Sequence, residues 1–275
     1  MRRWNGWGDE ANKMDLPPSG KDFLSGLIGE STPLADANLS DVLAQVPESR
    51  LPEHLLIDKD PEQRVRHARG QSLPDWLAMR SGDFQFFPDG VAFPETQDQV
   101  AELVTFCHEH DFVLIPYGGG TSVAGHINPF ESDRPILTVS LARMVRLLEL
   151  DTESQIATFG PGTPGPLVES QLRAKGYTLG HFPQSFELST LGGWVASRSS
   201  GQQSLRYGRI EQIFAGGSVE TPKGRLDIQT IPASAAGPDM REIFMGSEGR
   251  LGIISEVKVR VTKLAEKELP CWKST

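Results

Sequence analysis

Three separated stretches of the chain carry residue types that could hold an anion. The first is Pro116-Tyr117-Gly118-Gly119-Gly120-Thr121-Ser122-Val123, which follows the apolar run Phe112-Val113-Leu114-Ile115. Adjacent glycines cost backbone entropy, so they belong where a chain turns through φ > 0 or lets its amides approach something closely. Successive amides in such a turn make a concave anion site, and Thr121 and Ser122 add hydroxyl donors. The natural ligand is a phosphate or pyrophosphate. Taken alone, the stretch reads equally well as a flexible surface turn. The second stretch runs from Gly180 to Gly201. In it Ser189-Thr190 precede Leu191-Gly192-Gly193, which would put hydroxyls and free amides at a helix N-terminus. Small residues from Gly192 to Gly201 would let a flat ligand lie against the backbone, and Trp194 and Val195 are wrong for a solvated linker. The third, Gly246-Ser247-Glu248-Gly249-Arg250-Leu251-Gly252-Ile253-Ile254, packs three glycines around a Ser-Glu pair.

The elements that would position these stretches are legible from periodicity. Pro94-Glu95-Thr96-Gln97-Asp98 opens a helix whose Val100, Leu103, Val104 and Cys107 share one buried face. A strand over Val113–Ile115 then leads into the glycine loop, and Pro135–Leu141 reads as another strand. Val145–Leu150 and Gln155–Phe159 form a β pair, and a helix follows Pro166, with Gly176 as its C′ residue. Ile213–Ala215 and Ser218–Glu220 read as strands, and Thr221–Arg225 as a hairpin turn. Beyond the third stretch, Ile253, Ser255, Val257, Val259 and Val261 alternate with Ile254, Glu256, Lys258 and Arg260, the pattern of a half-buried strand. Residues 1 to about 80 read as an irregular arm with short helices near Phe23–Ile28 and Val42–Val46. In the arm, His54 and His67 are lone histidines expected at the solvated surface, and His108 and His110 lack partners at metal-ligand spacing.

Composition narrows the field. The net charge of −9, with no basic block, argues against nucleic acid as a partner. Cys107 and Cys271 form neither a CxxC nor a disulfide framework, so Cys107 is expected in the core and Cys271 as a free thiol. No apolar run reaches the ~18 residues of a membrane span, and Met1 to Trp7 lacks the apolar core of a secretory signal. The default expectation is a cytoplasmic protein. None of the glycine stretches is a GxGxxG or a GxxxxGK[ST], which leaves a dinucleotide held by neither a Rossmann turn nor a P-loop.

Four motifs in order give the chain a resemblance to the FAD-binding domain of the vanillyl-alcohol-oxidase, or PCMH-type, flavoproteins, and within them to the alkyldihydroxyacetonephosphate-synthase branch. They are the glycine loop Pro116 to Val123, Ser189 to Val195, Arg198 to Gly201 followed by Tyr207-Gly208, and Gly246 to Ile254, with an echo at Trp4 to Gly8. The resemblance implies an α+β, two-lobed FAD domain preceded by an irregular, partly helical N-terminal arm. The implied boundaries are 1–82 for the arm, 83–265 for the FAD domain (lobes of about 83–143 and 144–265) and 266–275 for a tail.

It further implies that Pro116, Tyr117, Gly118, Gly119, Gly120, Thr121, Ser122 and Val123 hold the FAD pyrophosphate. Gln184, Ser185, Leu188, Ser189 and Thr190, with Ser197, Arg198, Ser199 and Ser200, would line the isoalloxazine and ribityl region, and Gly192, Gly193 and Tyr207 would also contact the cofactor. Glu248, Gly249, Leu251, Gly252, Ile253 and Ile254 would close over the adenine side. Two positions depart from the family pattern: Arg250 replaces a small hydroxyl residue and Gln184 an acid. The loop holds no tethering histidine, and His126 comes four residues after Ser122, so the expected FAD is non-covalent. No metal site is expected. The family's catalytic groups lie in a cap that no pattern after Val261 matches, so no catalytic residue is assigned; Tyr177, His181 and Arg198 read as cofactor contacts or packing. The implied activity is alkyl exchange on an acyl-dihydroxyacetone phosphate, with a lipid-like substrate and peripheral contact with a membrane. The alternatives are a 2-hydroxy-acid oxidase or dehydrogenase, and a non-catalytic, truncated FAD-binding module that needs a partner chain.

Overall fold

In chain order the arm contributes helices α1 (Pro18–Ile28) and α2 (Leu39–Leu43), strand β1 (Ile57–Asp58), and helices α3 (Pro61–Arg66) and α4 (Leu73–Ser81). The computed structural model describes residues 2–12, 14–32 and 35–266; Cys271 and most of the tail lie outside them. Local chemistry sets the helix starts. Asp60 accepts from the amides of Glu62 and Gln63 ahead of Pro61. Ser72 and Asp75 form a reciprocal capping box on α4. The arm has a core of its own, in which Val42, Val65, Ala68, Met79 and Phe84 are buried. Trp4 docks there, its ring 6.3 Å from that of Phe84.

Next come β2 (Gly90–Ala92), α5 (Gln97–Glu109), β3 (Val113–Tyr117) and β4 (Ile136–Ser140). They build a four-stranded sheet in the order β1-β2-β4-β3, with β2 and β3 both parallel to β4. Helix α5 is capped by Thr96 and buries all four residues of its expected stripe, Val100, Leu103, Val104 and Cys107, against this sheet.

The second unit comprises β5 (Leu147–Asp151), β6 (Ile156–Phe159), α6 (Gly165–Arg173), β7 (Tyr177–Thr178), α7 (Leu191–Ser197), α8 (Ser204–Tyr207), α9 (Ile210–Ile213), β8 (Phe214–Thr221), β9 (Gly224–Ile228), α10 (Met240–Phe244), β10 (Ile253–Arg260) and β11 (Thr262–Lys263). Its antiparallel sheet runs β5-β6-β10-β8-β9, and β7 pairs with β11. The two short strands expected around Gly216 are one continuous strand, β8.

Strand β10 departs from simple alternation. Its pairing with β8 shifts register between Ile254 and Glu256. As a result Ile254 joins Val257, Val259 and Val261 in the core of the second unit, and Ile253 points into the core under α5. The bulge thus plugs the start of one strand into both cores. Among the described residues no helix is long and apolar enough to cross a membrane.

The two arm histidines are not solvated. His67 lies 4.7 Å from the Tyr117 ring and 5.5 Å from Phe93, and burial pushes its pKa down to about 4. His54 packs 4.7 Å from Phe106 and meets Glu102 at 3.3 Å. Nearby charge in the sequence suggested exposure, whereas aromatic residues from the next unit cover both rings.

Candidate functional site

Strand β3 is a β-branched and apolar run that ends its ladder at Tyr117, opposite Ser140. The chain then leaves the sheet as the glycine loop. None of the amides of Gly119, Gly120, Thr121, Ser122 and Val123 donates to a protein acceptor among the described residues. The loop carbonyls, in contrast, are held. Arg2 Nη1 donates to Gly119 O at 2.7 Å, and the Gln71 amide donates to Ser122 O at 2.6 Å. Tyr117 Oη donates to Arg66 O at 3.3 Å, and the Gly70 amide to Asn128 Oδ1 at 2.9 Å. Asn128 is fixed in turn by buried Asp75, which accepts from its Nδ2 at 2.6 Å. The arm therefore braces the loop, and the amides remain available for a ligand.

The glycines serve a purpose different from the one their composition suggests. A methyl on Gly118 would lie 2.5 Å from Thr190 Oγ1, and one on Gly119 would lie 2.8 Å from the Leu188 carbonyl carbon. A methyl on Gly249 would come within 2.8 Å of Pro116 Cγ. The missing side chains thus let the three glycine stretches pack against one another. Gly120, at φ 66°, turns the loop over the Tyr117 ring.

The second stretch is also organised differently from its expectation. Thr190 caps α7, and the first-turn amides already have acceptors: Leu191 N donates to Thr163 O, Gly192 N to Pro161 O and Gly193 N to Thr190 Oγ1. This helix start is not a free anion site. Its contribution is a wall of small residues and hydroxyls. Trp194 beneath it is anchored by Nε1 donating to Ser189 Oγ at 2.7 Å. His181 is buried edge-on to Trp194, and its Nε2 lies 2.6 Å from Ser199 Oγ. Burial pushes its pKa down to about 4, against the pull of Glu211.

The three stretches enclose one elongated cleft made of two connected cavities. The larger, ≈ 320 Å³, is lined by Gly118 to Ala124, His126, Ile127, Ser185, Ser189, Thr190, Gly193, Trp194, Ser197, Ser199 and Glu248. The smaller, ≈ 80 Å³, continues from it past Pro116, Tyr117 and Leu141 to Gly192, Ala196, Gly249, Gly252, Ile253 and Ile254. The larger cavity carries the loop amides and most of the hydroxyls, and the smaller is lined mainly by small and apolar residues.

Several expected contacts lie outside the cleft lining. Gln184 and Ser200 are exposed, and Leu188 sits behind Gly119. Arg198, in a left-handed conformation, pairs with Glu242. The Tyr207 ring covers Gly180. Leu251 is half-exposed on the far side, and Arg250 points outward beside it. The lining residues missing from the sequence reading are Ala124, His126, Ile127, Leu141, Trp194 and Ala196. Of these, His126 had a local signal, because it follows Ser122 at a spacing that lets the two side chains meet at 3.1 Å.

Comparison with known proteins gives a consistent picture. A family model described as an FAD binding domain matches residues 88–227. Alkyldihydroxyacetonephosphate synthase of Dictyostelium discoideum is 33% identical and aligns with 94% of this chain and 48% of that protein. Glycolate oxidase subunit GlcD of Bacillus subtilis is 31% identical, over 77% of this chain and 46% of its own. A solved alkyldihydroxyacetonephosphate synthase structure superposes with a TM-score of 0.85 at 30% identity, covering 97% of this chain and 55% of that one. The chain spans about half the length of the relatives it matches.

Proposed function

The chain belongs to the FAD binding domain family, and from that premise we propose that it is the FAD-holding part of a flavoenzyme of the alkyldihydroxyacetonephosphate-synthase type. The observation that carries this reading is the row of amides from Gly119 to Val123, unpartnered among the described residues, lining a cleft that all three glycine stretches share. That arrangement fits a pyrophosphate, which needs several converging donors. The Thr121 and Ser122 hydroxyls add to them. The apolar cavity between Pro116, Leu141, Ile253 and Ile254 is assigned to the adenine, and the larger cavity beside Ser185, Ser189 and Ser199 to the isoalloxazine end. When bound, FAD supplies the electron sink that protein side chains lack. The chain's own residues bind it, orient it and exclude water from one side. FAD is proposed to be held without a covalent tether, because the glycine loop from Pro116 to Val123 carries no histidine or cysteine.

The proposed reaction replaces an acyl by an alkyl group on a dihydroxyacetone phosphate, as an ether-lipid synthase would, with a lipid-like substrate met at a membrane surface by a cytoplasmic protein. In the proposed division, 1–82 is the arm and about 83–143 and 144–265 are the two lobes of the cofactor domain. A 2-hydroxy-acid oxidase is the second reading, favoured by the likeness to the glycolate oxidase subunit, but that likeness covers less of the chain. The test is reconstitution. Purified protein mixed with FAD and desalted should retain the visible flavin spectrum, and acid precipitation should release the colour into the supernatant. A protein that stays colourless refutes the cofactor site, and a yellow pellet refutes non-covalent binding. Bleaching of the flavin by a 2-hydroxy acid without oxygen would favour the second reading.

A further inference from the structure

Apart from the Tyr117 phenol, the ionisable side chains lining the cleft are His126 and Glu248, and they meet across it. His126 stands on the segment after β3, and Glu248 on the turn between α10 and β10, so the pair joins the two sheets. The His126 Nδ1 lies 3.0 Å from Glu248 Oε2 and 3.1 Å from Ser122 Oγ. A ring nitrogen facing a carboxylate carries the proton, so Nδ1–H is the donor. Ser122 Oγ also accepts from the Ala124 amide at 3.2 Å, which leaves its own hydroxyl proton for a ligand. Nε2 of His126 has no protein partner among the described residues. Glu248 is held in a left-handed conformation, φ 51°, with its amide donating to Ala196 O at 2.9 Å, so the backbone that carries the carboxylate is fixed in place.

A pyrophosphate bound beside Ser122 brings two negative charges towards this carboxylate. Among the described residues no lysine or arginine lines the cleft, and Arg2 sits on the Gly119 carbonyl of the loop rather than in the lining. Histidine is the side chain that gains charge between about pH 5 and pH 8. We propose that His126 is a binding residue of the cofactor site that takes up a proton as FAD enters, its imidazolium pairing with Glu248 while it offsets the pyrophosphate charge. This rests on the FAD reading. Linkage then requires FAD affinity to fall as pH rises.

Calorimetric titration of the apoprotein with FAD near neutral pH, in two buffers of different ionisation enthalpy, measures the proton directly. The expected result is uptake of about half to one proton per FAD, with a dissociation constant that rises by up to about tenfold per pH unit between roughly pH 6 and pH 8. In His126→Gln the uptake should vanish and the affinity become flat with pH. A binding heat of the wild-type protein that does not depend on buffer overturns the proposal, as does uptake that persists unchanged in H126Q. The buffer comparison uses the wild-type chain alone, so it can overturn the proposal even where the variant folds poorly. A wild-type chain that does not bind FAD at all refutes the cofactor reading instead.

Discussion

Replacing Gly119 by alanine tests whether the interlocked glycines set the cofactor site. The new methyl would lie 2.8 Å from the Leu188 carbonyl carbon and 2.9 Å from Ser189 Cα. Carbon atoms in favourable contact sit ~3.5–4.0 Å apart. Both neighbours are backbone, so no side chain can rotate away, and either the loop or the Leu188–Thr190 segment must shift. Overpacking of this kind costs about 1–3 kcal/mol of stability. The larger effect should fall on the ligand. A hydrogen bond to a charged group is worth ~1.5–3 kcal/mol, and a shifted Gly119 misaligns its own amide and that of Gly120. Losing one such bond, or part of two, weakens FAD by about 1.5–3 kcal/mol, roughly 10- to 150-fold. Titration of flavin fluorescence with apoprotein measures the affinity, and thermal melting of the apoprotein measures the stability. Gly26→Ala is the matched control, because a methyl there meets nothing within 4 Å in exposed helix α1. It should raise stability slightly and leave FAD binding alone. If G119A binds FAD within about threefold of wild type and melts like it, the interlocking argument is refuted.

Two further outcomes follow from contacts described above. Arg2→Ala removes the donor to the Gly119 carbonyl, and its partial exposure discounts the loss to about 1 kcal/mol, or ~fivefold in FAD affinity; Arg2→Lys should restore part of it, and equal affinity for all three proteins would refute the brace. Acid should weaken the fold before the carboxylates titrate. The pKa values of His67 and His181 fall from 6.5 to about 4 through burial, so the folded state favours their neutral forms. The stability they contribute is present above pH ~6.5 and is lost as pH falls towards ~4, on the order of 3 kcal/mol each. Urea midpoints that are equal at about pH 7 and pH 4.5 would contradict this.

Local signals carried far into the architecture. Thr96 and the four-residue apolar stripe defined α5 because capping and periodicity are properties of neighbouring residues. The glycine stretches were visible because glycine marks close approach, but what approaches was not visible. Gly119 meets Leu188 and Gly249 meets Pro116, contacts that tertiary structure alone creates. The same limit explains α7. Its sequence offers a helix start with free amides, and the carbonyls of Pro161 and Thr163 arrive from another segment to take them. Strict alternation in β10 failed at a bulge, which depends on the partner strand rather than on the strand's own pattern. His126 illustrates both sides: its contact with Ser122 is local, and its contact with Glu248 joins distant parts of the chain.

The position of β10 also dictates an order of assembly. It lies between β6 and β8, which do not pair with each other, yet it is made after both. Until residues 253–260 leave the ribosome, the sheet of the second unit exists only as two separate hairpins, β5-β6 and β8-β9. The same strand begins with Ile253, which fills the core under α5. Late arrival of one segment therefore completes the sheet, fills the other core and closes the apolar end of the cleft in a single event. Contacts of such long sequence separation slow folding, so the nascent chain presents two unfilled hydrophobic faces for longest at this stage. A chaperone that acts during synthesis would find its client there, in the interval before β10 inserts.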